Sequence, residues 1–254
     1  MSENKFKFPT EVVELPSKGL PYPESSSLSS GTVEMKYMSA REEDILTNMN
    51  FIRQGVVIDK LLQSMIVSEI DYNELLIGDK NALLIASRIL GYGKDYEFEI
   101  VDDYGQKIKT SVDLTSFNPK QIDESIFSKG INEFALTLPV SKVSITFKLL
   151  THADEKKIDQ EIKGLTKVNP NGSYDITTRL KHTITSVNGS KEQDDIRMFV
   201  DNMMVKDARF LREYIVKITP DLDLSISYTD SRGGVVEGIT LPMGTSFFWP
   251  DSGV

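Results

Sequence analysis

Residues 78–100, GDKNALLIASRILGYGKDYEFEI, change period half-way along. From Gly78 to Leu90 the apolar residues keep helical spacing, and Asp79 supplies a carboxylate where a helix N-terminus favours one. Gly91-Tyr92-Gly93 marks the stop, because glycine can adopt the left-handed cap. Tyr96, Phe98 and Ile100 then alternate with Glu97, Glu99 and Val101, which is the period of a strand. After the turn Asp102-Asp103-Tyr104-Gly105, the alternation resumes at Ile108, Thr110 and Val112, the pattern of a hairpin. A helix running directly into an antiparallel hairpin predicts an α+β protein.

The flanking sequence repeats that rhythm. Upstream, Val33, Met35 and Tyr37 alternate as a strand. Ser39 and Glu42 have capping-box spacing, which predicts a helix start. Val57, Leu61 and Met65 share one face of a helix after Gly55, with Ile58 and Leu62 alongside. Downstream, Phe134, Leu136 and Leu138 predict a strand, paired across Pro139 to Ser141 with Val143, Ile145, Phe147 and Leu149. Thr151-His-Ala-Asp154 caps a helix with signals to Leu165, and Asn169-Pro-Asn-Gly-Ser reads as a flexible loop. Ile176, Leu180, Ile184 and Val187 keep helical spacing, with Asn188-Gly189 as the stop. Ile196, Phe199, Val200 and Met203 predict another helix. Phe210, Leu211, Tyr214, Ile215 and Ile218 predict one more, ended by Pro220. The chain closes with a hairpin whose strands hold Leu224, Ile226 and Tyr228, then Val235 to Leu241, around Ser231-Arg-Gly-Gly.

The predicted architecture is a helical body with two or more β-hairpins. Its two halves share a rhythm without a close sequence repeat, so a two-half pseudo-repeat is suggested. The expected division is an extended N-terminal arm (1–32), a first α+β half (33–150) and a second (151–254).

The chain has 254 residues, enough for one large domain or two small ones. Its 39% hydrophobic and 26% charged residues fit a soluble globular protein. A net charge of −9 argues against nucleic acid and anionic membranes as partners, and suits solubility or a basic protein partner. There is no apolar run long enough to span a bilayer and no signal-peptide core at the start. With no cysteine, disulfides and thiolate metal sites are excluded, and no cofactor is expected.

Both ends are unusual. The first 32 residues are rich in proline and serine, and Leu15, Pro16, Leu20 and Tyr22 are candidates to pin this arm across the domain or a partner. At the other end, Phe247-Phe248-Trp249-Pro250 groups the only tryptophan with two phenylalanines. Ends normally fray unless tied down. Three such rings bury roughly 150–250 Å² each. They therefore either lock onto the chain's own domain or plug a pocket on another protein.

Catalytic signatures are scarce. His152 and His182 lack zinc-ligand spacing and read as surface or structural residues. Gly91-x-Gly93 follows a helix, unlike a dinucleotide fingerprint, and no phosphate-loop or nucleophile-elbow motif occurs. Asp102-Asp103 and Asp194-Asp195 read as solvated carboxylates of a turn and a helix N-terminus. Met203-Met204 reads as core filling, with an adaptable contact surface as the alternative. A proline-rich arm and an aromatic plug without a catalytic centre are devices of an assembly protein.

LPSKG at 15–19, SGTVEMKYMSAREEDILTN at 30–48, GDKNALLIASRILGYGKDY at 78–96, ITSVNGS at 184–190 and LPMGTSFFWP at 241–250 resemble, in that order, the baseplate hub assembly family of T4-like phages. The resemblance implies a non-enzymatic role in building the baseplate hub, with hub proteins, the spike complex or the tape-measure protein as partners. It implies work in the host cytoplasm during assembly, or residence in the tail baseplate as a permanent subunit. A cell-wall hydrolase is the third reading, and it requires carboxylates facing each other across a cleft. Relatives in this family carry C-x-x-C-G knuckles at two hairpin tips. The matching stretches here are Val101-Asp-Asp-Tyr104-Gly105 and Thr229-Asp-Ser-Arg232-Gly233, which have no thiolates for zinc.

Overall fold

Helices and strands come in runs along the chain, as the changes in hydrophobic period require. The computed structural model describes residues 9–243, 247 and 248. In chain order the elements are β1 (Thr10–Glu14), β2 (Thr32–Lys36), α1 (Ala40–Leu46), α2 (Met49–Gln54), α3 (Val57–Met65), α4 (Ile77–Tyr92), β3 (Asp95–Val101) and β4 (Lys107–Asp113). They are followed by β5 (Phe134–Thr137), β6 (Ser144–Phe147), α5 (His152–Val168), α6 (Asp175–Thr183), β7 (Ile184–Val187), α7 (Gln193–Asp201), α8 (Val205–Ile218), β8 (Ser225–Thr229) and β9 (Val235–Thr240). All strand pairing is antiparallel: β1–β2, β3–β4, the three-stranded β5–β6–β7, and β8–β9. The fold is α+β, with small sheets set around a helical body.

Two reciprocal caps begin helices where the sequence placed them. Ser39 and Glu42 form the capping box of α1, and Thr151 and Asp154 that of α5. In α3 the predicted face, Val57, Leu61 and Met65, is buried together with Leu62. α2 was not foreseen in the sequence. It is a short turn of helix whose N-terminal amides, those of Asn50 and Phe51, donate to the Asn48 side chain.

Two expected boundaries are corrected. The helix predicted through Val187 ends at Thr183, and Ile184–Val187 forms β7 on the free edge of β6. Three of those four residues are β-branched and favour strand geometry. Thr146 adds hydroxyl contacts of 2.7 Å to both Thr185 and Ser186. Asn188 and Gly189 therefore end a strand, in a turn with φ of 48° and 85°, the geometry Asn-Gly favours. At the other correction, α4 continues through Gly91 and Tyr92. It stops at Gly93, whose φ of 87° and ψ of 174° are not those of a left-handed helical cap.

The predicted arm is not extended throughout. β1 is, but residues 15–22 turn back on themselves through the bonds Lys18 N–H to Leu15 O, Leu20 N–H to Ser17 O and Tyr22 N–H to Gly19 O. Lys18 and Gly19 take positive φ to allow this. Leu15, Tyr22 and Leu28 join the single hydrophobic core, which runs from this segment to Phe248.

α4 is the spine of the molecule, about 24 Å long at 1.5 Å per residue. Gly78 near its start lies so close to the second half that a Cβ there would sit 1.8 Å from the Pro220 carbonyl oxygen. The Asn81 amide donates to both oxygens of Asp221 at the same contact. Near its end Gly91 packs on Met38.

Candidate functional site

The first turn of α4 holds the N-terminal segment. Asp79, fully buried, accepts from the Ser17 N–H at 2.9 Å, the Ser17 hydroxyl at 2.7 Å and the Tyr22 hydroxyl at 2.6 Å. Tyr22 oxygen in turn accepts from the Leu76 N–H at 2.9 Å. Burial pushes the Asp79 carboxyl up from its ordinary value, opposed by these three donors. Burial and the neighbouring Asp79 also raise the Tyr22 phenol. Of the arm residues singled out in the sequence, Leu15, Pro16 and Tyr22 are buried and Leu20 is half-buried.

The last turn of α4 holds the C-terminal segment. Arg88 donates from Nε to the Phe247 carbonyl at 2.9 Å and from a terminal nitrogen to the Gly93 carbonyl at 3.3 Å. Its guanidinium lies 4.9 Å from the Tyr92 ring centre and 5.7 Å from that of Tyr96. Burial lowers its pKa, with the two tyrosines opposing. Phe247 packs edge-on against Tyr96 at 4.9 Å and against Phe248 at 5.2 Å. Phe247 and Phe248 are 0% and 1% exposed, so both rings lie within this chain's own core. Trp249 and Pro250 lie outside the described residues.

Two ribbons meet at their tips. Asp102 accepts from the Tyr104 and Gln106 amides of its own turn, and from the Ser231 amide of the β8–β9 turn at 3.1 Å. It is 5% exposed, which corrects the expectation of a solvated pair at Asp102-Asp103. The turn amides explain the difference, since they satisfy a carboxylate without water. Arg232 stacks on the Tyr104 ring at 3.6 Å. These tips do not fit zinc. They offer no thiolate or imidazole, Asp102 is already saturated with amide donors, and a guanidinium occupies the contact. Among the described residues no three His, Asp or Glu side chains are grouped to hold a metal ion.

The histidines are built into the scaffold. His152 lies edge-on to Tyr72 at 4.7 Å, with Lys80 Nζ 3.3 Å from Nδ1 and Asp59 3.6 Å from Nε2. Burial and Lys80 lower its pKa. Lys80 and Tyr72 both donate to Asp59, so the cluster ties α3, α4 and α5 together. His182 contacts Glu161 at 2.8 Å. Asp194 and Asp195 lie exposed in the first turn of α7. Met203 packs on the core, and Met204 is exposed.

The described residues also form open clefts, of which two stand out. One, of about 360 Å³, separates β4 from β8 and is lined by Phe98, Thr110, Val112, Phe117, Ile226 and several serines. The other, of about 350 Å³, has Pro21, Tyr22, Leu76 and Ala153 as apolar walls and Asp71 and Glu74 on its rim. Sequence reading missed this second cleft. Its lining comes from four separate segments, 21–23, 71–76, Asn132 and 151–153, and only the turn at 15–22 brings the prolines to them.

A family model described as "T4 bacteriophage base plate protein" matches residues 10–249. The chain belongs to that family. The matched stretch takes in the N-terminal segment held by Asp79, both ribbons and the buried pair Phe247-Phe248. Membership makes this a phage baseplate protein, and the resemblance read from the ordered motifs is shown at that level. No curated protein and no solved structure matches the chain. No helix among the described residues of this baseplate protein is long and apolar enough to cross a membrane.

Proposed function

We propose that this baseplate protein is a non-enzymatic assembly factor that helps build the baseplate hub in the host cytoplasm by binding hub, spike or tape-measure components. One observation carries the reading. Asp102 and His152, two of the polar residues weighed and set aside in the search for catalytic groups, are engaged in holding elements of the fold together. In this reading Phe247, Phe248, Leu15, Pro16, Leu20 and Tyr22 anchor the two ends so that the outer surface is presented rigidly to partners.

Quantitative mass spectrometry of purified phage particles against infected-cell lysate tests it. The expected result is abundance in lysate and absence from mature particles. A fixed copy number per particle would replace the assembly factor with a permanent hub subunit.

A further inference from the structure

We propose that the cleft between the Pro21-Tyr22-Pro23 turn, the 71–76 segment and the start of α5 receives an arginine side chain from a partner protein. The proposal rests on the partner-binding reading and names the chemistry of the partner. The cleft holds about 350 Å³, and its floor is apolar: the prolines, the Tyr22 ring, Leu76 and Ala153. The Tyr22 hydroxyl is turned inward to Asp79 and Leu76, and Tyr22 is 4% exposed, so it closes the inner wall of the cleft and offers no polar group to it. The rim is acidic. Asp71 and Glu74 are both exposed, and among the described residues neither has a cation within ion-pair distance. Their side-chain bonds are to neutral groups: Asp71 accepts from Asn73, and Glu74 accepts from the Ser26 hydroxyl. Lys129, which lies beside the Gly130 that packs on Pro23, is within 3.8 Å of Glu24.

An apolar slot ending in two carboxylates matches an arginine better than any other side chain. The aliphatic stem packs on proline and leucine while the head reaches the acidic rim. The guanidinium is weakly hydrated, stacks on aromatic faces and pairs with carboxylates in a fixed fork. A net charge of −9 on the whole chain favours the approach of a basic segment. The walls are also pre-formed, since Asp79 fixes the Tyr22 side and the Thr151–Asp154 capping box fixes the Ala153 side.

The test is a titration of the full-length, 15N-labelled protein with N-acetyl-Gly-Arg-Gly-amide, followed by NMR. The control is the same peptide with citrulline, which keeps the shape and removes the charge. The expected result is a saturable shift of the Asn73, Asn132 and Ala153 amides with the arginine peptide, and affinity about fivefold weaker with citrulline. The Asp71→Asn/Glu74→Gln double variant, in which both changed residues are exposed, is expected to lose that difference while keeping the wild-type spectrum elsewhere. Equal shifts from both peptides, or no saturable shift, would overturn the proposal. Because the titration uses only the purified chain, its failure is distinguishable from failure of the assembly reading, which the particle measurement decides separately.

Discussion

Arg88 Nε donates to the Phe247 carbonyl oxygen at 2.9 Å, linking the end of α4 to a residue 159 positions later in the chain. The same guanidinium caps the Gly93 carbonyl and lies against the Tyr92 and Tyr96 rings. Its planar fork serves two carbonyls and two aromatic faces together, which a lysine cannot do. Arg88→Met is expected to destabilise the chain by about 1–3 kcal/mol by leaving the buried Phe247 carbonyl unpaired. Phe247→Ala is expected to cost about 3–5 kcal/mol, as for other buried aromatic truncations. The double variant should lose less than the sum, because the two residues share one contact. Urea midpoints for the three variants test this, and strict additivity would refute the link.

Asp79 performs the matching task at the other end of the same helix. Removing it in Asp79→Ala leaves the Ser17 amide, the Ser17 hydroxyl and the Tyr22 hydroxyl without their acceptor. Each unpaired buried group costs about 1–3 kcal/mol. The 15–22 turn is expected to open first, since it carries the donors. Limited proteolysis should then cut between residues 15 and 31 in the variant and spare the wild type. Equal resistance would show that Leu15, Tyr22 and Leu28 hold the segment by packing alone.

The architecture was legible where one element carries its own signal. The switch of period at Gly93, the capping boxes at Ser39 and Thr151 and the final hairpin all rest on residues within a few positions of one another. Legibility failed where a distant edge decides. Ile184–Val187 satisfies helical spacing, yet the open edge of β6 captures it as a strand. The same limit applies to the sites. Tyr22 and Asp79 each carry a local signal in sequence, but nothing there joins them, and 57 positions separate Tyr22 from the carboxylate it meets. Asp102 reads as a solvated turn residue because its third donor, the Ser231 amide, comes from 129 positions away.

Acid should weaken the first half through Glu42. This carboxylate is fully buried and accepts from Lys36 at 2.8 Å, from Ser64 at 2.6 Å and from the Ser39 amide at 2.9 Å. Burial alone would raise its pKa, but the hydrogen bonds from Lys36, Ser39 and Ser64 outweigh it and hold the carboxyl at about 2. The folded value is below the ordinary 4.5, so the stabilisation is fully present above pH 4.5 and is lost as pH falls towards 2. Its size is on the order of 3 kcal/mol. Urea midpoints measured from pH 6 to pH 2 should fall steeply for the wild type. The Glu42→Gln variant should be weaker at pH 6 and show a flatter acid limb. An acid limb unchanged in the variant would assign the acid sensitivity to other carboxylates.

The tip contact makes the two ribbons one unit, and its loss should be local. In Asp102→Ala the amides of Tyr104, Gln106 and Ser231 lose a shared acceptor, while the strand ladders β3–β4 and β8–β9 keep their own bonds. Arg232 stacked on Tyr104 remains as a second contact and should keep the tips close but less fixed. Hydrogen exchange is therefore expected to accelerate at those three amides and to stay unchanged at the middles of the strands. Adding Arg232→Ala should part the ribbons and extend the faster exchange along β4 and β8, the strands that border the 360 Å³ cleft. Exchange that rises across the whole domain in the single variant would instead mean that the tips contribute to global stability, with Asp102 as part of the folding core.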